Sequence, residues 1–218
     1  MRAIIAAAGG QSKWNEHLGV PSHLCPLTRH GNQPLVHRTI EQVRGYTPDV
    51  TITTPDDDRY NSVAPMCVRS VVTGEHPSEY AATRHLWNED GRTVLLLGDV
   101  FFSEQAMLQI MFDTRRQYMV YGRYRKSAIT GTPYGEIFAA SWWPEEHERL
   151  DRTIKMVHDV RASGAVTRPP GWMILRAYQG TPLNRHLVLS DWFTEIDDET
   201  DDIDFPADYD RHPATRSA

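Results

Sequence analysis

The sequence predicts a single α/β domain whose central sheet is mixed but mostly parallel, with helices on both faces. Up to about residue 130, short apolar runs alternate with segments of helical spacing, which is the order of βαβ units. The run 93–97 is apolar, as expected for a central parallel strand that is covered on both faces. A chain of 218 residues is long enough for one sizeable core and short for two domains.

Each element follows from its local pattern. Short apolar or β-branched runs that end at turn residues predict strands at 2–8, 50–53, 68–72, 93–97, 118–121 and 136–142. Helical spacing, in places after a Pro or Ser start signal, predicts helices at 34–44, 78–87, 104–115 and 145–162. Residues 172–193 mix strand and loop signals, and Pro206 is expected to begin a terminal helix. The domain is predicted to span 1–210, followed by a frayed tail at 211–218.

Composition excludes several classes of protein. Hydrophobic residues make up 40% and charged residues 24% of the chain, so a folded protein is expected rather than disorder. A formal net charge of -6 argues against broad electrostatic binding to nucleic acid or to an anionic membrane. No apolar stretch approaches the roughly 20 residues of a membrane helix. The two cysteines predict reduced thiols in a cytoplasmic protein without a structural zinc site.

The first predicted strand runs directly into a glycine loop. Glycines let a ligand approach the backbone closely, and free N–H groups can cradle phosphate. The spacing fits neither a Walker A loop nor a GxGxxG fingerprint, so a plain strand-to-loop turn is the alternative. The candidate nucleotide-binding residues are Ala7, Ala8, Gly9, Gly10, Gln11, Ser12 and Lys13, together with Ser78 at the start of a predicted helix.

Two aspartates are candidate metal ligands. Asp99 directly follows the predicted central strand, and open α/β sheets bind ligands at the carboxyl ends of their strands. An aspartate there can bind Mg²⁺ or, alternatively, cap a helix. The acidic run 195–210 is mostly typical of a solvated face. Asp204 differs, because the apolar Ile203 and Phe205 flank it and a short strand would point it away from these buried neighbours.

Three segments, in this order, resemble the nucleotidyltransferase family with a Rossmann-like GT-A fold. That family includes sugar-1-phosphate nucleotidyltransferases and molybdenum-cofactor guanylyltransferases. The segments are the loop 7–13, Leu96-Leu97-Gly98-Asp99-Val100, and Asp202-Ile203-Asp204-Phe205-Pro206-Ala207-Asp208-Tyr209. The stretches 21–24 and 33–37 resemble the family's Pro-Lys-x-Leu and x-Pro-Leu-x-x-His motifs. The resemblance covers about 2–210 and implies that Asp99 and Asp204 bind Mg²⁺ or Mn²⁺.

The chain departs from the family at two cations. The family's loop arginine is Lys13 here, and its loop lysine falls on Ser22. Lys13 can offer a phosphate a point charge but no bidentate fork, and Ser22 offers no charge. His23, Arg29 or His30 would have to compensate from nearby.

The resemblance implies a transferase in which a phosphorylated small molecule attacks a nucleoside triphosphate and pyrophosphate leaves. Lys13, Asp99 and Glu136 are the catalytic candidates, with Glu136 orienting the acceptor or acting as its base. One alternative is a GT-A glycosyltransferase, which uses a nucleotide-sugar and has no need of the two loop cations. Its acceptor would be a small molecule or a nucleic-acid base, although Asp99 lacks the Asp-x-Asp context common in those enzymes. A second alternative is a nucleotide-binding homologue without catalysis.

The acceptor side is less clearly indicated. The segment 121–126 interleaves aromatic and basic residues, a composition that suits a phosphate, a sugar or a stacked nucleic-acid strand. An exposed strand end with solvated charges is the alternative. The candidate acceptor-side residues are Arg123, Arg125 and Lys126.

Overall fold

The computed structural model describes residues 1–10 and 12–217. Its strands are β1 (Arg2–Ala6), β2 (Pro26–Leu27), β3 (Gln33–Pro34), β4 (Val50–Thr54), β5 (Val68–Val71), β6 (Thr93–Leu97), β7 (Val100–Phe101), β8 (Met119–Arg123), β9 (Glu136–Trp142), β10 (Phe193–Glu195) and β11 (Asp201–Asp202). Its helices are α1 (Leu35–Arg44), α2 (Glu79–Thr83), α3 (Glu104–Met111), α4 (His147–Ala162), α5 (Pro170–Tyr178) and α6 (Pro206–Arg211).

Seven strands form the central sheet in the order β10-β8-β9-β6-β1-β4-β5. Strand β9 runs antiparallel to both of its neighbours, and the other four pairs are parallel. The predicted mixed, mostly parallel sheet is therefore confirmed. Ala6 lies opposite Leu97 in the pairing of β1 with β6. Because the two strands are parallel, the loops that follow them leave the same edge of the sheet side by side.

The core lies on both faces of this sheet. Ile4 and Ile5 point to opposite sides, as successive strand residues do, and each belongs to a separate buried cluster. Apolar residues of α1 and α3 complete the cluster around Ile5, and those of α4 and α5 complete the cluster around Ile4. Helices on both faces explain why the central strands are apolar without alternation.

A second, two-stranded sheet folds the acidic C-terminal segment back onto the edge of the main sheet. In this antiparallel pair of β7 and β11, Asp202 lies opposite Val100. The backbone N–H of Ile203 donates to the carbonyl oxygen of Asp99 at 2.8 Å, and the Ile203 side chain is fully buried. Two distant parts of the sequence are thus joined just after β6.

Three predictions about local structure are wrong. Residues 170–178, expected in part as strand or loop, form α5, in which Pro170 suits the first turn and apolar residues face β8 and β9. Helix α3 ends at Met111 rather than at about residue 115. The described part of the tail is packed rather than frayed, because Ala214 and Thr215 are buried and the Thr215 hydroxyl donates to the His212 carbonyl oxygen at 2.8 Å.

No helix within the described residues combines the length and apolar character needed to cross a bilayer.

Candidate functional site

A cavity of about 530 Å³ opens at the carboxyl edge of the sheet, beside the loops that follow β1 and β6. It collects predicted site residues from four separate segments of the chain. Those that line it are Gly9, Gly10, Ser12, Lys13, Asp99, Glu136 and Asp204. Tertiary structure therefore brings together the glycine loop, the end of the central strand and the acidic C-terminal segment.

Close packing fixes the starting points of both loops. A Cβ atom on Gly98 would lie 2.8 Å from the carbonyl oxygen of Ala6 and 2.8 Å from the Cβ of Ala7. Only glycine therefore lets the chain after β6 run so close to the chain after β1, which sets the position of Asp99. Gly9 and Gly10 are exposed, and a Cβ atom on either would meet open space. Their backbone is accessible to a ligand.

The far end of the glycine loop is anchored by Trp14. This indole is buried, and its Nε1 donates to the carbonyl oxygen of Val20 at 2.6 Å. Lys13, one residue earlier, is half-exposed and forms an ion pair with Asp204. Its ammonium group also lies 5.2 Å from the ring centroid of Phe205. Lys13 thus connects the glycine loop to the acidic C-terminal segment at the cavity.

Not all of the predicted loop reaches the cavity. Ala7 is fully buried and its N–H donates to the carbonyl oxygen of Thr53 at 2.9 Å, so it belongs to the core. Ala8 is half-buried and does not line the cavity. Gln11 lies outside the described residues. Ser78 is the N-cap of α2, as its sequence context predicted, but it does not line the cavity.

The carboxyl groups of Asp99 and Asp204 are close enough to share a hydrogen bond. Burial, and after it the negative charge of Asp204, raise the pKa of Asp99 well above its usual range. The Phe205 ring is exposed rather than buried, in contrast to the prediction, whereas Ile203 is buried as expected. The two predicted metal ligands therefore meet, although they come from opposite halves of the sequence.

A second carboxyl pair lies beside the first. Asp202 and Glu136 are hydrogen-bonded, and both line the cavity. Burial, followed by the negative charge of Glu136, raises the pKa of Asp202 well above its usual range. Burial is also the main reason why the pKa of Glu136 is raised. The Oδ1 atom of Asp202 is buried without a hydrogen-bond partner within the described structure.

Arg123 holds Glu136 of this second pair in place. It is only 4% exposed and forms ion pairs with Glu136 and Asp201. Burial alone would raise the pKa of Asp201, but hydrogen bonds from Ser127 and from Arg123 hold it below its usual value. Asp201 is therefore a structural carboxylate with its oxygens occupied, whereas Asp202 is not.

The arrangement can hold a divalent cation. Asp99, Asp202 and Asp204 offer only carboxylate oxygens, which are the ligands that Mg²⁺ and Mn²⁺ prefer. The Oδ1 of Asp202 has no hydrogen-bond partner within the described structure, and burial followed by the charge of Asp204 makes ionisation of Asp99 unfavourable, so a cation would satisfy both groups. Among the described residues, the carboxylates whose oxygens all lie within 4.8 Å of one another are Glu136, Asp201 and Asp202, a group that shares only Asp202 with this trio. Asp202 is thus a candidate ligand that sequence reasoning missed.

The predicted acceptor-side residues do not line this cavity. The guanidinium of Arg123 is buried in its two ion pairs and does not line the cavity. Arg125 and Lys126 are exposed on the following loop, and neither lines the cavity. They are the solvated strand end that the alternative interpretation described.

The missing family lysine has no substitute among the residues considered from sequence. Ser22 and His23 are 1% and 2% exposed. The Nδ1 of His23 lies 2.7 Å from the Tyr60 hydroxyl, and burial lowers the pKa of His23 to about 4, which keeps it neutral. Arg29 and His30 are exposed but do not line the cavity. Lys13 is therefore the cation at this part of the site.

One wall of the cavity was not predicted at all. We call it the α5 wall, and it consists of Arg168, Trp172, Arg176 and His186. Glu79 and Tyr80 of α2 and Tyr134 add to the lining. The sequence signal was present in Arg168-Pro169-Pro170-Gly171-Trp172, a proline-rich helix start, with Arg176 one helical turn after Trp172. Assigning the segment as mixed strand and loop hid that periodicity.

No protein-family model and no curated protein match this chain by sequence. Solved structures do match it. One is a glucose-1-phosphate thymidylyltransferase of Bacillus anthracis, in complex with sucrose, with a TM-score of 0.64 and 15% identity over 99% of this chain and 94% of that chain. Another is the CTP:phosphocholine cytidylyltransferase of Streptococcus pneumoniae, with a TM-score of 0.63 and 15% identity over 96% of both chains. The predicted nucleotidyltransferase-like fold is confirmed.

Proposed function

We propose that this protein is a metal-dependent nucleotidyltransferase, which transfers a nucleotidyl group from a nucleoside triphosphate to a phosphorylated small molecule. The observation that carries the proposal is the meeting of Asp99, Asp204 and Lys13 beside an accessible glycine loop in one cavity. Two structures of the same fold carry the names of nucleotidyltransferases, and their acceptors are a hexose phosphate and phosphocholine.

The donor triphosphate would lie against the glycine loop. The backbone of Gly9 and Gly10 is exposed, and such N–H groups can bind phosphate oxygens. Lys13 adds a positive charge to the lining of the same cavity. Asp99 and Asp204, with Asp202, would hold Mg²⁺ or Mn²⁺, which neutralises phosphate charge when bound.

The reaction needs no protein nucleophile. An oxygen of the acceptor phosphate forms a bond to the α-phosphorus, and the bond from that phosphorus to the β-phosphate oxygen breaks. The electron pair leaves with pyrophosphate, so catalysis consists of positioning and charge neutralisation. Because the acceptor phosphate is already ionised near neutral pH, no general base is required. Glu136, held by Arg123 and bonded to Asp202, would then be a positioning residue for Asp202.

One observation favours a second candidate, a GT-A glycosyltransferase that uses a nucleotide-sugar. The buried Ser22 supplies no positive charge where the resembled family has a lysine, which leaves Lys13 as the cation of the described glycine loop. A nucleotide-sugar carries a diphosphate and demands less positive charge.

A thermal-shift screen tests both functions. Each nucleoside triphosphate, diphosphate and nucleotide-sugar is added with Mg²⁺ or Mn²⁺ to the wild type and to Asp204→Asn. Asp90→Asn is the matched control, because Asp90 is exposed and outside the cavity. We expect a triphosphate at about 100 times its Kd to stabilise the wild type and the control by about 2.7 kcal/mol, and the cavity variant much less.

The outcomes separate the candidates. Stabilisation by nucleotide-sugars without stabilisation by any triphosphate would favour the glycosyltransferase. An equal response from Asp204→Asn and Asp90→Asn would contradict the metal site. Once a triphosphate is identified, release of pyrophosphate in the presence of hexose 1-phosphates, phosphocholine and other phosphorylated compounds measures the transfer itself. Binding without release for every acceptor would support a homologue that binds nucleotide without catalysis.

A further inference from the structure

The α5 wall carries positive charge with no carboxylate partner. Arg176 is only 3% exposed, yet among the described residues neither it nor Arg168 forms an ion pair. This differs from Arg123, the other buried arginine beside the cavity, which has two carboxylate partners. Arg92 shows that neutral acceptors can hold such a buried guanidinium, but Arg92 does not line the cavity, whereas an anion that entered the cavity would give the arginines of this wall an ionic partner.

Arg176 is held in place by a backbone carbonyl and by the ring of His186. Its Nη1 donates to the carbonyl oxygen of Leu183 at 3.1 Å, and its Nη2 lies 2.8 Å from the Nδ1 of His186. Its Nε is buried and has no partner within the described structure. Burial lowers the pKa of Arg176, and the positive charge of the nearby Arg168 lowers it further. Arg168 itself is exposed and makes no hydrogen bond within the described structure, so it is free to bind a ligand.

The rest of this side of the cavity is apolar and aromatic. Trp172 is 7% exposed, and the His186 ring stacks on Tyr124 at 4.7 Å with an interplanar angle of 6°. Aliphatic side chains of the sheet complete the surface, namely Leu95, Ile137 and Ala140. The hydroxyl of Tyr80, which also lines the cavity, is already bonded to the Tyr118 hydroxyl at 2.7 Å.

This composition discriminates between classes of acceptor. Several sugar hydroxyls would find only the guanidinium of Arg168 as a free polar side chain here, because the described α5 wall and the aliphatic surface beside it offer no free hydroxyl or amide side chain. A quaternary ammonium group finds aromatic rings in such a site, but it would face two uncompensated guanidiniums. An anionic group next to an apolar or planar body satisfies both features.

On the premise of the proposed function, we propose that the acceptor carries an apolar or planar body and a second anionic group besides the phosphate that reacts. The body packs between Trp172 and the aliphatic surface, and the second anion pairs with Arg168. Arg176 lies behind, supplies positive charge and fixes the orientation of His186. Arg168 is thereby a residue that determines acceptor specificity.

Two probes that differ by one charge test this inference by isothermal titration calorimetry, with Mg²⁺ present. They are 4-carboxyphenyl phosphate and phenyl phosphate. We expect the carboxylate to tighten binding to the wild type by roughly tenfold, as one charge-assisted pair does. Glucose 1-phosphate and phosphocholine should bind more weakly than 4-carboxyphenyl phosphate.

Variants assign the preference to one side chain. Arg168→Gln should reduce the carboxylate's advantage to about twofold or less, because Arg168 is exposed and its loss leaves the core intact. Arg125→Gln removes the same charge from an exposed position outside the cavity and should keep the full advantage. Equal binding of both probes to the wild type, or an undiminished advantage in Arg168→Gln, would overturn the proposal.

The two proposals fail separately. If no triphosphate binds but the preference that depends on Arg168 persists, nucleotidyl transfer is wrong and the anion-binding wall stands. If triphosphate binding depends on Asp204 but the two probes bind equally, the function stands and the acceptor class is wrong.

Discussion

Replacing Asp99 by Asn should make the metal-free protein more stable while removing its response to metal and nucleotide. Asp99 shares a hydrogen bond with Asp204, and burial and the charge of Asp204 raise its pKa. The amide keeps the shape of the side chain but removes one negative charge. Asp204 then keeps Lys13 as its partner without competing repulsion.

The size of the gain follows from the charges. Two carboxylates about 4 Å apart repel each other by about 4 kcal/mol at an effective dielectric constant of about 20. Because the pKa of Asp99 is raised, protonation of Asp99 relieves part of this repulsion. We therefore expect Asp99→Asn to raise the free energy of unfolding by about 1–2 kcal/mol, or Tm by about 3–6 °C for a chain of this size.

Chemical denaturation and thermal melts in EDTA measure the gain, and repeating them over pH tests its cause. Between the unfolded pKa of about 3.9 and the raised folded pKa, the folded protein holds a proton that the unfolded chain has lost. The wild type should therefore lose stability as pH rises through this window, and Asp99→Asn should show a flatter profile. With Mg²⁺ and a triphosphate, the order of stability should reverse.

Asp90→Asn, which removes an exposed charge outside the cavity, controls for the general effect of net charge. A lower Tm for metal-free Asp99→Asn would refute the reasoning, because it would show that Asp99 makes a net favourable interaction without metal. A Mg²⁺-dependent shift that survives in the variant would exclude Asp99 as a ligand.

Three further predictions concern the loop and its surroundings. Lys13→Ala should change stability by less than about 1 kcal/mol, since its pair with Asp204 is half-exposed, but should weaken triphosphate binding at least about tenfold in titrations. Gly98→Ala should lower the free energy of unfolding by about 1–3 kcal/mol in denaturant, because its Cβ atom would overlap the chain after β1. Gly9→Ala should keep the free energy of unfolding within about 0.5 kcal/mol of the wild type and weaken only nucleotide binding. Equal losses of stability in the two variants would contradict this reasoning. Ser78→Ala should cost about 1 kcal/mol as a lost N-cap, and a change in nucleotide Kd would restore its predicted role in binding.

Much of the fold was predictable because it depends on local patterns. The apolar runs of β1 and β6 indicate strands covered on both faces, and the glycines after them indicate close approach of the backbone. Helix α5 was harder to predict. Most of its residues are buried because it packs against the sheet, so its proline-rich start and the spacing of Trp172 and Arg176 were the local signals of a helix.

The candidate site was predictable only in part, because local patterns indicate single residues and not the distant residues that surround them. Asp99 was indicated by its place at the end of β6, and Asp204 by its apolar neighbour Ile203. Asp202 resembled any other member of an acidic run until its Oδ1 was found buried without a partner. Arg123 looked like a solvated cation, because nothing near it in sequence shows that Glu136 and Asp201 surround it.

Local sequence patterns thus specify the strands, most of the helices and the kinds of group that meet a phosphate or a metal ion, since these depend on neighbours within a few positions. Tertiary structure alone decided which charges are neutralised and which are left for a ligand. That choice depends on contacts between distant segments, such as the pairing of β7 with β11 that carries Asp204 to Asp99. Where the described structure lacks such contacts, Arg168 and Arg176 on the cavity wall form no ion pair, whereas Arg123 has two carboxylate partners.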